Sequence, residues 1–485
     1  MLRKRIMILL LTFVYLFSFQ QANVVFASSD PDQSSAVEAD GDEHEETKKA
    51  DAVYLDFSCE QYPDDRFPEL RTRAVKWYFK FSKDSRLSVT ADKPVRQLYF
   101  QFEHPCEWML TLPDGTVFHR GENGFIHDYV DLGQSVSDFT VDVSQGTVVT
   151  GIFGFTEGET PDWVQKWLPP CDTADLLVLP THADDEFLWF GGALPYYAGE
   201  LGYNVQVVYL TNHSLQTFRE HERLNGLWTV RVRHYPIVCE RFIDSWMTKR
   251  YEGAIEKFGW ENVLAFQVEM LRRFRPKVII GHDIKGEYGH GTHVLNAETL
   301  LKALELTSDP KAYPDSAEKY GVYTVQKCYL HLWEENRITV RWEDMKLSRF
   351  DGKSAMRMAD EGYACHQSQR EFYSDPSAGS YDCRLFGLAY TTVGYDTPQR
   401  NDMFEHVNMS AHDQNIEGEQ TGSDDTAQQA VSETDKEPVA SPSDKENRSF
   451  VWDGNPAIID VVFIGGVAVA LLIAMAILIC LKRRE

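Results

Sequence analysis

The side chains best suited to chemistry sit in two short stretches, Pro180-Thr-His-Ala-Asp-Asp-Glu186, closed by Gly191-Gly192, and Gly286-Glu-Tyr-Gly-His-Gly-Thr-His293. Both follow apolar, strand-like runs. His182 and Asp185, three apart at a strand-to-helix turn, can converge on one ion, and Asp184 between them can aim a second carboxylate at whatever that ion binds. His290 and His293 repeat the spacing at a helix start and can supply a third ligand. Three protein ligands leave one tetrahedral position open for water, as in a catalytic rather than a structural zinc site. Zinc brings the pKa of such a water to about 7, and a nearby carboxylate can take its proton. Fe2+ or another divalent ion would suit the same nitrogen and oxygen ligands. Each stretch alone has a plain structural reading: an Asp pair after a strand is commonly a helix cap and first-turn acid, and a His at a helix start is usually only hydrogen-bonded. Two complementary sets at strand ends in one domain favour a hydrolytic metal site.

The elements that must carry these residues alternate. Asp175–Leu179 reads as a buried strand, Phe187–Leu201 as a helix, Val205–Leu210 as a strand and Ser214–Arg233 as a helix. Trp260–Phe274 is helical, Lys277–Gly281 is the strand behind it, and His290–Leu306 is a helix with Val294, Ala297, Leu301 and Leu304 on one face. This rhythm predicts an α/β domain over 171–395, a mostly parallel sheet with helices on both faces. Ligands in such sheets sit beyond the carboxyl ends of the strands, where both stretches fall.

Residues 52–165 have a different texture. Ala74–Phe81, Arg96–Phe102, Trp108–Leu112, Thr116–Arg120, Phe139–Val143 and Val148–Phe155 read as strands, with a hairpin turn at Pro113-Asp-Gly115. The region predicts an all-β, sandwich-like domain. Trp77, Tyr78, Tyr99 and Trp108 could stack on sugars, although filling the core is the commoner use of such residues.

The ends carry their own expectations. Residues 1–27 combine Arg3, Lys4 and Arg5 with an apolar run and a small-residue site ending at Ala27, the pattern of a secretory signal peptide. Residues 28–51 and 401–455 form an acidic leader and an acidic stalk, too poor in large apolar residues to offset chain entropy. Within 457–481, Val461–Leu481 is an unbroken apolar run long enough for one membrane crossing, and Lys482-Arg-Arg484 supplies a positive-inside flank to a cytoplasmic tail, 482–485. The expected placement is a single-pass cell-membrane protein with its bulk outside. A net charge of −26 and the lack of a basic patch argue against nucleic acid as a partner. Seven of the eight cysteines precede the apolar run; outside the cell disulfides are allowed, and Cys365 with Cys383 is the nearest pair in sequence. Cys239 and Cys328 lie in strand-like runs and read as buried thiols.

On its two motifs, the segment 171–395 resembles the LmbE-like (PIG-L) family of zinc-dependent N-acetylglucosaminyl deacetylases, whose first motif reads A-H-P-D-D-E before a glycine pair. Two weaker family features are present: Arg219 and Glu222, three apart on the second helix, and His366-Gln-Ser-Gln369. The resemblance implies a Rossmann-like fold and hydrolysis of an acetamido group on a sugar. It also implies zinc held by His182, Asp185 and His293, with Asp184 as general base. Tyr288 and His290 would steady the oxyanion or give a proton to the leaving amine, and Arg219 would hold the sugar, unless it is only an ion-pair partner of Glu222. His366 and Gln369 could equally be structural. Two departures stand out. Ala183 replaces the family's proline, and Thr292 stands where a carboxylate usually supports the neighbouring imidazole, so His290 is expected to be less often protonated unless Glu287 compensates.

The sequence leaves three readings open: a membrane-anchored, outward-facing deacetylase of an N-acetylated carbohydrate or glycoconjugate, a catalytically silent glycan-binding protein on that scaffold, and a zinc hydrolase of a non-sugar amide. Asn212, Asn408 and Asn447 begin glycosylation sequons, and a glycan on Asn212 would crowd the expected site.

Overall fold

Alternating inward and outward residues build the first half of the computed structural model, which describes residues 48–370 and 378–409. Its strands are β1 (Ala52–Val53), β2 (Leu55–Cys59), β3 (Phe79–Phe81), β4 (Ser85–Phe102), β5 (Trp108–Thr111), β6 (Val117–Arg120), β7 (His127–Val143) and β8 (Thr147–Phe155). Every pairing among them is antiparallel. β4 and β7 run alongside each other, with register shifts between Thr90 and Gln97. Such bulges bend a strand and change its partners: β4 pairs with β2 before the shifts and with β8 after them. The predicted hairpin joins β5 to β6, with Gly115 at φ +89°. The aromatic candidates divide. Tyr99 and Trp108 are buried in the core, whereas Trp77 and Tyr78 are exposed.

The second half follows the predicted alternation. Its strands are β9 (Leu176–Val178), β10 (Val205–Tyr209), β11 (Ile237–Val238), β12 (Val278–Gly281), β13 (Lys327–His331), β14 (Arg337–Thr339) and β15 (Leu385–Thr391). They order as β11-β10-β9-β12-β13-β15-β14, the first five parallel and the last two antiparallel additions. The helices are α1 (Asp185–Leu188), α2 (Phe218–Thr229), α3 (Tyr251–Phe258), α4 (Trp260–Phe274), α5 (Gly291–Leu306), α6 (Pro314–Tyr320) and α7 (Ala355–Tyr363). Both sheet faces are covered, as strand alternation requires. Leu176 and Val178 pack with Phe187, Leu188, Leu224 and Leu227, while Leu177 packs on the other face with Val268, Leu271 and Leu300. The chain builds outward from β9 to β10 and β11, then returns to place β12 on β9's other side. That reversal opens a crevice at the carboxyl ends of β9 and β12, where both motifs lie.

Several expectations are corrected. The helix predicted over Phe187–Leu201 breaks: after α1, Gly191 turns left-handed at φ +54°, and the helix resumes as a π-turn, Pro195–Glu200. A Cβ on Gly191 would meet the Trp342 ring at 2.7 Å, so the glycine admits that close approach. The helix expected from Ser214 starts only at Phe218, because Ser214 N–H is drawn back to Asn212 Oδ1 in a local turn. The strand predicted over Ala74–Phe81 shortens to β3. No disulfide joins Cys365 to Cys383; Cys365 Sγ lies 3.6 Å from Thr229 Oγ1. Cys239 and Cys328 are buried thiols. Asn212 is also buried, its amide donating to the carbonyls of Cys239 and Glu240, which leaves no room for a glycan. No described helix is long and apolar enough to cross a membrane. The signal peptide, most of the leader, the stalk beyond residue 409 and the apolar run 461–481 lie outside the described residues.

Candidate metal centre

His182 follows β9 by four residues, and Asp185 opens α1, so one tight turn brings both to the crevice. Asp184, between them, sits at φ 127°, a strained conformation for a non-glycine residue. Its N–H donates to Glu186 Oε2 at 2.8 Å, and Glu186 Oε1 in turn contacts His366 Nε2 at 2.9 Å. His366 therefore supports the turn that holds Asp184. From the other motif, His293 projects from the first turn of α5 into the same crevice.

Three ligand atoms converge there. His182 Nδ1, Asp185 Oδ2 and His293 Nε2 are 3.1, 3.2 and 3.3 Å apart. Ligands about 2.0–2.1 Å from a tetrahedral ion stand roughly 3.3–3.4 Å from one another, so the triangle has the size of one face of such a site. The proton positions also fit. His293 Nδ1 donates to Glu287 Oε2 at 2.7 Å, leaving Nε2 as a bare lone pair. His182 Nε2 faces the Asp244 carboxylate at 3.5 Å, which favours a proton on Nε2 and so leaves the Nδ1 lone pair for the triangle. A carboxylate oxygen and two such nitrogens repel one another unless a metal ion or a shared proton lies between them.

Two further imidazoles reach this cluster. His282 offers an atom to a set with Asp185 and His293, and His290 to a set with His182 and His293. His282 is already committed, since its Nε2 accepts the Thr181 N–H at 3.0 Å and its Nδ1 faces Glu287 at 2.9 Å. His290 remains uncommitted, with Nδ1 buried and unpartnered. Burial, aided by repulsion from His182 and His293, lowers its pKa to about 2. Glu287 does not compensate for the missing family carboxylate. It accepts instead from His282, His293 and His331, and Thr292 Oγ1 donates to the Thr248 carbonyl at 2.9 Å. In this site His290 is a neutral imidazole.

The field around the triangle favours positive charge. Burial works against an imidazolium at His182, yet Asp244 and Asp185 outweigh it and raise the pKa to about 9. Burial likewise opposes ionisation of Asp185, but His293 and His182 hold it well below the carboxylate range. Asp184 behaves differently. Burial pushes it up to about 7, and Arg219 offsets this only in part. A carboxyl poised there can both accept and return a proton near neutrality.

Arg219 points into the site rather than along its helix. Its Nη2 donates to the Ala183 carbonyl at 2.6 Å and lies 3.5 Å from Asp184 Oδ2, with Nη1 4.0 Å from Asp244 Oδ2. Glu222, its suggested helix partner, instead accepts from Ser368 N–H and Oγ. Tyr288 stands at the rim, 44% exposed, its ring 5.6 Å from that of His290. Gln369 reaches only Ser368 among the described contacts.

Sequence reasoning missed three members. Asp244 comes from the loop after β11 and also faces His213 Nδ1 at 3.6 Å. His282 and His331 each end an apolar strand run, and that position was their available signal. Together they make Glu287 a shared acceptor for three rings, bonded to His331 Nδ1 at 2.8 Å.

Residues 176–304 match the family described as PIG-L: GlcNAc-PI de-N-acetylase. A 1D-myo-inositol 2-acetamido-2-deoxy-alpha-D-glucopyranoside deacetylase 2 of Saccharopolyspora erythraea is 29% identical over 171 residues, covering 30% of this chain and 62% of that protein. The 1D-myo-inositol 2-acetamido-2-deoxy-alpha-D-glucopyranoside deacetylase of Streptomyces scabiei is 25% identical over 175 residues, covering 31% and 54%. The chain thus spans less than two thirds of the length of either relative. Among solved structures, N,N'-diacetylchitobiose deacetylase from Pyrococcus horikoshii is similar over 42% of this chain and 73% of that one, at 15% identity and a TM-score of 0.31. The cluster from His182 to His293 falls inside the matched span, and residues 176–304 form a PIG-L/LmbE family domain.

Proposed function

We propose that this protein is a metal-dependent N-deacetylase acting on an N-acetylated amino sugar in a glycan or glycoconjugate. The observation that carries the reading is the triangle of ligand atoms on His182, Asp185 and His293, 3.1–3.3 Å apart, beside the carboxyl of Asp184. Those three residues would hold the ion, and zinc fits their nitrogen and oxygen donors. Bound there, it supplies Lewis-acid polarisation of the amide carbonyl and acidifies water.

The chain's own residues account for the proton balance. Asp184 accepts a proton from the attacking water as the C–O bond forms, and returns it to the amide nitrogen as the C–N bond breaks. The amine leaves poorly until protonated, so this return is required. His290, neutral here, serves the oxyanion by donating a hydrogen bond rather than by carrying charge. Arg219 holds Asp184 ionised enough to act as a base and offers a guanidinium at the site wall. Tyr288, at the rim, is placed to meet the substrate.

The sugar class is supported by the names of the relatives, which are deacetylases of a 2-acetamido-2-deoxy-glucopyranoside. Surface placement rests on sequence alone: the signal-like residues 1–27, the apolar run 461–481 and its basic flank support a single-pass, outward-facing enzyme. The test is release of free amine from N-acetylglucosaminyl oligomers by zinc-loaded protein, repeated after chelation and after zinc is restored. Activity that is lost and then regained supports the reading. No amine from a broad panel of N-acetylated sugars, at full zinc occupancy, would refute it.

A further inference from the structure

At the opposite end of the strands, a cavity of about 280 Å³ opens between the turn entering β10 and the segment that follows α2. Its walls carry three guanidiniums, Arg231, Arg233 and Arg349, with His234 and the turn Gly202–Val205. Both elements lead from this cavity to the metal centre. The five residues of β10 and the twelve of α2 each span roughly 17 Å, so the two sites are separate.

Two of the three guanidiniums are held by stacking, not by pairing. Arg231 lies over the Phe350 ring at 4.9 Å and Arg233 over Trp228 at 3.9 Å. Stacking uses the flat face of the group and leaves its in-plane N–H donors available. Arg233 spends one nitrogen on the backbone carbonyls of Trp228 and Val232. Among the described residues no carboxylate pairs with any of the three. Glu200 commits both oxygens to Ser348 and to the backbone N–H of Arg349, and it feels the charge of the Arg349 side chain without forming an ion pair with it. Many other arginines of this acidic chain find acids, such as Arg86 with Asp142, Arg120 with Asp128 and Arg384 with Asp382, although Arg73 and Arg275 also stack on rings without one among the described residues. Gly202, at φ +67°, brings the turn against Arg349, where a Cβ would make ordinary contact with Nη1 at 3.4 Å. Burial, with the like charge of Arg231, pulls the pKa of Arg233 down to about 10, in keeping with a missing counter-ion. The expectation of no basic patch is therefore corrected locally: Arg349 joins a sequence-adjacent pair from more than a hundred residues away.

We propose that this cavity binds a phosphoryl group. Three guanidiniums lining one cavity match a tetrahedral group with several terminal oxygens and nearly two negative charges better than a two-oxygen carboxylate. The group can belong to a soluble phosphate ester or to an anionic phospholipid head, and the experiment separates them. Calorimetric titration of the full-length chain with inorganic phosphate at low ionic strength is expected to show saturable binding at one site. Arg233→Gln and the more exposed Arg349→Gln should each weaken it at least tenfold, while Arg86→Gln leaves it unchanged. Sedimentation with phosphatidylglycerol vesicles, against phosphatidylcholine vesicles, tests the lipid source: a component lost in Arg349→Gln assigns the headgroup, and its absence beside phosphate binding assigns the soluble ester. The proposal is overturned if neither probe binds in an Arg349-dependent way, or if both variants, shown folded by circular dichroism, bind phosphate like the parent protein.

Discussion

Replacing Glu287 tests whether one buried carboxylate sets the proton positions of the metal site. Its Oε2 accepts from His282 Nδ1 at 2.9 Å and His293 Nδ1 at 2.7 Å, and its Oε1 from His331 Nδ1 at 2.8 Å and Asp283 N–H at 3.2 Å. In Glu287→Gln the amide nitrogen must replace one oxygen, and either choice turns a donor toward two donors. The less harmful orientation keeps the oxygen on His282 and His293 and sacrifices His331, so His293 retains its tautomer but faces a neutral acceptor. Support of this kind contributes about 10–100-fold to metal affinity. Glu287→Gln should therefore weaken zinc binding about tenfold, or about 1.4 kcal/mol. Glu287→Ala, which frees His293 to rotate, should approach a hundredfold. Competition against a chromophoric chelator reads both constants directly. Unchanged affinity in folded Glu287→Ala would show that Glu287 does not orient His293, and the tautomer argument would fall.

Other expectations follow from burial and strain. His127, enclosed between Tyr99, Gln165 and His221, is lowered by burial from 6.5 to about 4, so the unfolded chain binds more protons between those values. Its contribution, on the order of 3 kcal/mol, is complete above pH 6.5 and lost as pH falls through about 4. Urea midpoints should drop across that window and flatten in His127→Gln; the same slope in both proteins would exclude His127 as the source. Gly191→Ala must fit a Cβ 2.7 Å from the Trp342 ring at φ +54°, and should cost on the order of 3 kcal/mol by chemical denaturation. A variant as stable as the parent would mean that Trp342 moves freely. Thr292→Asp sets a buried carboxylate against the Thr248 carbonyl, and should lower stability by about 2 kcal/mol without raising the deacetylation rate. A stable, faster variant would restore the view that this position only lacks its acid.

The parts of the site legible in the sequence were those that local spacing determines. His182, Asp184 and Asp185 share one turn, and His293 begins a helix whose apolar face is plain, so strand-end placement sufficed to bring them together. Asp244 was not legible, because a lone acid in a loop acquires meaning only when β11 pairs beside β10 and carries that loop over His182. Glu287 was visible as part of a motif, but its three-ring role depends on His282 and His331 arriving from two neighbouring strands. In the fold, βαβ units announced themselves through long apolar periods. The antiparallel additions β14 and β15 did not, since β15 is held by tertiary pairing with β13, and β14 by pairing with β15, rather than by a pattern of their own. The helix over-read at Gly191 has the same origin: periodicity continued across a glycine whose backbone was reserved for contact with Trp342.

The central claim is that His182, Asp185 and His293 hold the ion while Asp184 moves the proton. Zinc stoichiometry and amine release measured together on the parent protein and on Asp184→Asn separate these roles. The account predicts about one zinc per chain in both proteins, with the rate in Asp184→Asn lower by at least about a hundredfold. A rate near that of the parent protein, with zinc retained, would contradict it.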